Sequence, residues 1–126
     1  MREMSKEMPN KLDKRSLSKH VKMSIKASQE KKAEHIVVLD LRNVSSFTDY
    51  FVIMEGNSKR QNMAIYESIE QALKKENIKP LSIEGRKNAE WILMDYGYFI
   101  IHVFSKEARE YYYLEKLWGD APRSYY

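Results

Sequence analysis

Three histidines are the side chains in this sequence best suited to acid–base or metal chemistry: His20, His35 and His102. They are far apart along the chain, and none has a second ligand at the short spacing of a helical zinc site. The sequence contains no Gly-x-Ser-x-Gly nucleophile turn, no Walker loop and no dinucleotide-binding fingerprint. It also lacks cysteine, which excludes thiolate catalysis, disulfides and cysteine-bound metals and predicts a reducing, cytoplasmic location.

The fragment Gly56-Asn57-Ser58 is the one stretch that resembles a phosphate-binding turn, because it precedes a predicted helix N-terminus. A nucleotidyltransferase would also need two carboxylates on one strand face to hold a pair of Mg²⁺ ions about 3.5–4 Å apart. The two strands that follow offer one acid each, Glu84 and Asp95. Ser58 and Gln61 have the spacing of a capping box instead. We therefore predict a helix cap, with no catalytic residue, metal or cofactor, and keep a metal-dependent nucleotidyltransferase as an alternative.

The apolar pattern predicts a single α+β or α/β domain over residues 16–126. Runs rich in β-branched residues predict strands, and helical spacing of apolar residues predicts helices. The resulting order αββαβββα favours a mixed five-stranded sheet with flanking helices. The predicted strands are 35–41, about 50–55, PLSIEG, WILMD and YFIIHVF, and the predicted helices run from Ser16 to about Lys32, from Ser58 to about Glu76 and from Ser105 to about Trp118.

The net charge of +4 is concentrated in the N-terminal quarter of the chain. Residues 1–34 contain ten Lys and Arg against five Asp and Glu, a net +5, whereas residues 35–126 contain twelve against thirteen, a net −1. Residues 1–15 lack apolar periodicity, so we predict a disordered basic arm. Such an arm is either a solvated extension or a weak ligand of RNA phosphates, and the second reading leaves an RNA-binding module as another alternative. No run of about 18 apolar residues is present, so no membrane span is predicted.

The segment WILMDYGYFIIHVF predicts a hairpin with aromatic residues near its turn. If Tyr96-Gly97 forms a two-residue turn, Asp95 pairs with Tyr98 and Trp91 pairs with His102. A lone histidine beside a tryptophan is more often structural than catalytic, so we predict a structural role for His102. Trp91 is either part of the core or part of a contact surface, since tryptophan buries a large area in both settings.

These residues also carry a family resemblance. The stretches VVLDLRNVSSFTDYFVI, GNSKRQ and IEGRKNAEWILMDYGYFIIHVFSKEAREYYYLEKLW follow one another between His35 and Trp118. In their order and spacing they resemble the ribosomal silencing factor family, RsfS, also called the Iojap family. The resemblance implies a nucleotidyltransferase-like fold without known enzymatic activity. Arg86, and the basic extension before about Ser16, depart from the family pattern.

The resemblance implies a function in translation control. Members of this family bind the large ribosomal subunit through ribosomal protein L-fourteen, block joining of the small subunit and repress translation under nutrient limitation. Relatives can also pair as homodimers, and neither a small-molecule substrate nor a membrane is implied. Because Trp91 falls at a position that the family uses for contact, we predict that the hairpin is the partner-binding surface. Its predicted partner-binding residues are Trp91, Asp95, Tyr96, Gly97 and Tyr98.

Overall fold

A mixed sheet lies at the centre of residues 11–126, the part of the chain that the computed structural model describes. Within these residues the sheet has six strands in the order β3-β4-β5-β2-β1-β6. Strands β2 and β5 are parallel, and the other neighbours are antiparallel. The mixed α+β class is as predicted, with one strand more than expected. The strands are β1 (Glu34–Asp40), β2 (Tyr50–Gly56), β3 (Ser82–Glu84), β4 (Trp91–Asp95), β5 (Phe99–Ser105) and β6 (Arg123–Tyr125).

Strand β6 is the element that the five-stranded prediction missed. It pairs antiparallel with β1, placing Arg123 opposite Leu39 and Tyr125 opposite Val37. Three residues are too few to show the alternation by which a strand is recognised in a sequence. Residues 123–125 therefore form a strand because they can pair with the free edge of β1, and their own composition does not indicate one.

Two helices cover one side of the sheet, which we call the inner face. Helix α1 (Lys19–Glu30) and helix α2 (Lys59–Lys74) contact each other and bury their apolar stripes against the sheet. Their first turns are capped by Ser18 and Ser58, whose side-chain oxygens accept hydrogen bonds from backbone N–H groups three residues later. In the described part of the chain, no helix has the length and apolar character needed to cross a membrane.

The single C-terminal helix predicted from Ser105 is two short helices in the structure. Helix α3 (Lys106–Tyr112) and helix α4 (Leu114–Leu117) are separated by Tyr113, which has a φ of 44°. This left-handed conformation ends α3, and the Tyr113 N–H donates to the carbonyl of Arg109 at 2.9 Å. Sequence periodicity does not reveal such a break, because the apolar residues on both sides keep helical spacing. The chain turns here, and α4 then packs against the sheet.

The beginning of the described chain is ordered against β6. The Leu12 N–H donates to the carbonyl of Arg123 at 3.0 Å, and Lys11 forms a parallel bridge with the same residue. The Leu12 side chain is only 6% exposed and belongs to the inner core. Residues 11–15 lie within the predicted disordered arm 1–15, and in the structure one apolar side chain and one ladder contact connect them to the domain. Residues 1–10 lie outside the described residues.

Helices α3 and α4 lie on the other side of the sheet, which we call the outer face. A second, smaller apolar cluster forms there, and it includes Phe51, Ile100 and Phe104. Since α3 and α4 are short, they cover only part of this face. Trp91 and Leu93 of β4 remain half-exposed beside the cluster. The outer face of the sheet is thus incompletely covered within the described residues.

Candidate docking surface

The β4–β5 hairpin has a register different from the predicted one. Trp91 lies opposite Phe104, and Asp95 lies opposite Ile100. The turn therefore consists of Gly97 and Tyr98, one residue later than expected. Gly97 has a φ of 91°, which suits a two-residue hairpin turn and is rarely adopted by other residues. The Asp95 carboxylate accepts a hydrogen bond from the Gly97 N–H at 2.8 Å and so holds the turn.

The three predicted aromatic contact residues do not gather around this turn. Trp91 begins β4, at the end of the strand remote from the turn. Tyr96 is only 8% exposed and stacks on Phe99 in the inner core, with ring centroids 5.0 Å apart. Tyr98 is exposed, but its hydroxyl lies 3.0 Å from the Ser18 hydroxyl at the start of α1. Alternation along β4 places Trp91 and Asp95 on the outer face and Tyr96 beyond reach of a partner there.

Trp91 is half-buried and has both core and surface contacts. Its ring packs against Phe104 and Tyr112, with centroids 4.9 and 4.5 Å apart. Its indole N–H donates to Nδ1 of His102 at 3.0 Å. The contacts with His102 and Phe104 thus fix the orientation of the indole, while part of it faces solvent. A side chain held in this way loses little conformational entropy when a partner covers it.

His102 is enclosed by aromatic rings on the outer side of the sheet. It is 2% exposed, and the ring of Phe51 lies 4.4 Å from its own, centroid to centroid. Burial lowers the pKa of His102 to about 3, so the imidazole is neutral near pH 7. Because Nδ1 accepts the hydrogen bond of Trp91, the proton lies on Nε2, which has no partner among the described residues. A neutral imidazole without access to solvent supports the structural role predicted for His102.

This burial predicts a pH dependence of stability. The folded pKa of His102, about 3, lies below its ordinary value of 6.5, so its contribution to stability is complete above pH 6.5 and is lost as the pH falls towards 3. In that window the group lowers the free energy of unfolding by about 1.4 kcal/mol per pH unit. We expect the free energy of unfolding of His102→Gln, measured with urea from pH 7 to pH 4, to fall less steeply with decreasing pH than that of the wild-type protein. Parallel curves for the variant and the wild-type protein would contradict this assignment.

Around Trp91 the outer face carries further exposed apolar side chains. Phe47 is 59% exposed and Leu117 is 71% exposed. Trp118 is half-buried and connects them to the sheet, with its ring 6.2 Å from Phe47 and 6.1 Å from Phe51. Sequence patterning did not single out Phe47, because it lies in a loop, whereas Leu117 and Trp118 ended the family pattern. We define the outer aromatic surface as Phe47, Trp91, Tyr112, Leu117 and Trp118.

An ion-pair network fixes helix α4 beneath this surface. Arg109 of α3 is 11% exposed in its side chain and donates to Glu55 of β2 at 3.1 Å. It also donates twice to Glu115 of α4, at 3.0 and 2.7 Å. One guanidinium therefore connects the sheet to both short helices. Arg109 thus contributes to the orientation of α4, together with the buried side chain of Leu114 and the hydrogen bond from Arg123 to the Trp118 carbonyl.

The same network contains the only residues that could hold a metal ion among those the structure describes. The possible ligand atoms of Glu34, His35 and Glu55 lie within 4.8 Å of one another. The Glu55 carboxylate, however, already contacts Arg109 at 3.1 Å and His35 at 3.1 Å. A fixed guanidinium at this distance competes with a cation for the same oxygen atoms. We assign the cluster to the ion-pair network.

The Gly56-Asn57-Ser58 turn caps the helix with the predicted pair of residues, but the Gln61 side chain binds the N–H of Asn57 and not that of the cap residue Ser58. Ser58 accepts from the Gln61 N–H at 3.0 Å, and the Gln61 side chain accepts from the Asn57 N–H at 2.6 Å. Two backbone donors that a phosphate would need are thus already satisfied. Asp95 lies opposite Ile100, which in turn lies opposite Phe51 near the start of β2. Gly56 lies at the other end of β2. The turn and this carboxylate do not form one site.

Comparison with known proteins identifies a family, relatives in sequence and relatives in fold. The chain matches the family described as "Ribosomal silencing factor during starvation" over residues 14–125. It is 43% identical to ribosomal silencing factor RsfS of Bacillus subtilis over 102 residues, which cover 81% of this chain and 86% of that protein. It is 33% identical to the chloroplastic protein Iojap of Zea mays over 96 residues, which cover 76% of this chain and 42% of that protein. A crystal structure of a Chromobacterium violaceum protein matches with a TM-score of 0.77 at 32% identity, covering 79% of this chain and 83% of that chain.

Fold and relatives together define a ribosome-associated regulator of translation built on a mixed α+β sheet. More specifically, the chain belongs to the RsfS family of ribosomal silencing factors. The family resemblance and the fold class predicted from the sequence are thereby confirmed. The relatives are named for a regulatory role and not for a catalysed reaction.

Proposed function

We propose that this protein binds the large ribosomal subunit through ribosomal protein L-fourteen and blocks joining of the small subunit. In this way it represses translation in the cytoplasm when nutrients are limiting, without catalysing a reaction. Family membership supports the ribosomal target. The observation that carries the proposal is the outer aromatic surface, where apolar side chains up to 71% exposed lie beside a face of the sheet that α3 and α4 only partly cover.

The composition of this surface suits a protein partner. Tryptophan and tyrosine are enriched among the residues that dominate binding free energy, and Trp91, Tyr112 and Trp118 are all accessible here. Asp95 and Glu84 lie on β4 and β3 at the margin of the same face, which favours a partner with basic residues opposite them. Within the predicted set, Trp91 and Asp95 then make contact directly. Gly97 and Tyr98 border the face, and Tyr96 supports their turn from inside.

The same surface is available to a second copy of the chain. We propose that a homodimer forms through it, so that the dimer and the ribosome compete for the outer aromatic surface. Raising the protein concentration should then populate dimers, and adding large subunits should dissociate them. Competition of this kind would keep the aromatic side chains covered between rounds of ribosome binding.

Sedimentation with separated ribosomal subunits tests the proposal. We expect the purified protein to co-sediment with large subunits, not with small subunits, and to prevent formation of joined ribosomes when it is added before the small subunit. Added after joining, it should have a weaker effect, because the docking site is then occluded. Isolated L-fourteen should compete for the protein. Binding to small subunits alone, or unimpaired joining at saturating protein, would refute the proposal.

A further inference from the structure

A basic groove lies at the edge of the sheet formed by β6. It encloses about 940 Å³ and is lined by residues 11–15 and 123–125. Lys11, Lys14 and Arg15 are all exposed in it, and Asp13 is the only acid among the described residues that line it. The ordering of residues 11–15 against β6 thus converts part of a basic tail into a concave surface of defined shape.

The cations of the groove differ in how free they are to bind. The Arg15 side chain is 92% exposed, and its only ion-pair partner in the described chain is Asp13, at 3.3 Å. The Lys14 ammonium lies 4.3 Å above the ring of Tyr126. Arg123 instead donates to backbone carbonyls, including that of Trp118 at 3.0 Å, and so has a structural role. Lys11, Lys14 and Arg15 are therefore the groups that can contact an anionic ligand.

An exposed aromatic ring accompanies these cations. Tyr125 lines the groove and is 64% exposed. Its backbone is fixed by pairing with Val37, so the ring is presented from a strand and not from a mobile loop. A positively charged groove with an accessible aromatic ring is the arrangement by which proteins bind single-stranded nucleic acid, with phosphates on the cations and a base on the ring.

We propose that this groove binds a single-stranded segment of RNA. Lys11, Lys14 and Arg15 contact consecutive phosphates, and a base stacks on Tyr125. The choice of ribosomal RNA as the natural target rests on the proposed function, whereas the RNA contact itself does not require a ribosome. Strands β6 and β4 lie on opposite sides of the sheet centre. The groove is therefore remote from Trp91, whereas its lining residue Arg123 adjoins the outer aromatic surface through the carbonyl of Trp118, at 3.0 Å.

Fluorescence anisotropy with a labelled oligouridine of about 12 nucleotides tests the groove on the full-length protein. The test variant carries Lys11→Gln, Lys14→Gln and Arg15→Gln. Each lost phosphate contact on a single strand reduces the dependence of log K on log salt by about 0.7, so we expect the slope to fall by about 2. This corresponds to roughly 100-fold weaker binding at 0.1 M salt. The affinities of the variant and the wild-type protein should become equal when they are extrapolated to about 1 M salt.

A matched control changes the same charges elsewhere. Arg60→Gln, Lys87→Gln and Lys106→Gln also remove one arginine and two lysines from exposed positions outside the groove. This control should retain most of the wild-type slope. If both triple variants lose affinity equally, the attraction comes from net charge alone and the groove proposal is wrong. Binding to anionic phosphatidylserine vesicles with no binding to oligouridine would also overturn it.

Two single variants give opposite expected effects. Asp13→Asn removes the acid of the groove while keeping a good cap for the short 3₁₀-helix Lys14–Ser16, so RNA binding should tighten. Tyr125→Ala should weaken binding about 5- to 100-fold, whereas Tyr125→Phe keeps the ring and should not. Unchanged affinity in both Asp13→Asn and Tyr125→Ala would contradict the proposal. Since isolated RNA is the probe, this failure is distinguishable from failure to sediment with large subunits.

Discussion

Trp91→Ala is expected to weaken binding to the large ribosomal subunit by roughly 30- to 1000-fold, which corresponds to about 2–4 kcal/mol. The indole lies half-exposed on the outer face and is oriented by its hydrogen bond to His102, so it is ordered before a partner arrives. Its removal should also restore subunit joining in a translation assay. Co-sedimentation over a range of protein concentrations measures the first effect, and circular dichroism must show that the variant is folded.

Because Trp91 also contributes to packing, a pair of leucine variants provides a test that does not depend on folding. Leu117 and Leu81 are 71% and 75% exposed, but only Leu117 belongs to the outer aromatic surface. We expect Leu117→Ala to weaken subunit binding and Leu81→Ala, which lies just before β3, to leave it unchanged. If the folded Trp91→Ala and Leu117→Ala variants both block joining at wild-type concentrations, the docking surface lies elsewhere.

Arg109→Ala is expected to lower the free energy of unfolding by about 3–5 kcal/mol, because it leaves two poorly exposed carboxylates without their cation. Those carboxylates, Glu55 and Glu115, are 9% and 18% exposed in their side chains. Chemical denaturation measures the change. Subunit binding should weaken as well, since α4 loses its attachment to β2 and carries Leu117 and Trp118 with it.

The control for this prediction is an ion pair of similar length at the surface. Lys19 and Glu76 are 2.9 Å apart, with side chains 69% and 36% exposed, so Lys19→Ala should leave the free energy of unfolding nearly unchanged. Adding Glu115→Gln to Arg109→Ala should recover part of the lost stability, because it removes one of the uncompensated charges. Equal losses for Arg109→Ala and Lys19→Ala would show that the network does not stabilise the fold as inferred.

Features encoded within a few residues could be predicted from the sequence. The strands β1, β2, β4 and β5 follow from short runs of mainly apolar residues, and the cap at Ser58 follows from a four-residue pattern. Strand β6 and the left-handed Tyr113 could not be predicted in this way, because both depend on surfaces supplied by distant parts of the chain. Local patterns identify elements, whereas pairing partners and chain reversals come from tertiary contacts.

For the candidate site, alternation along β4 decides which of the predicted residues share a face of the sheet. Trp91 and Asp95 are four residues apart on β4, and because side chains alternate along a strand, both lie on the same face. The same alternation places Tyr96 on the opposite face, which the expectation of an aromatic cluster at the turn overlooked. Phe47 reaches the surface from the loop between β1 and β2, where no periodic signal exists. The outer aromatic surface therefore becomes visible only when the fold brings this loop beside α4.

The parallel pairing of β2 with β5 has a consequence for how the protein is made. During synthesis β2 can pair with β1 at once, but its other edge stays open until α2, β3, β4 and β5 have followed. At about 5–20 residues per second this takes a few seconds, during which a central strand that is buried along its whole length in the folded protein presents unpaired backbone groups. Closing such a long loop is also entropically slow. Nascent chains are thus exposed to misassociation for longer than those of a protein built from simple hairpins.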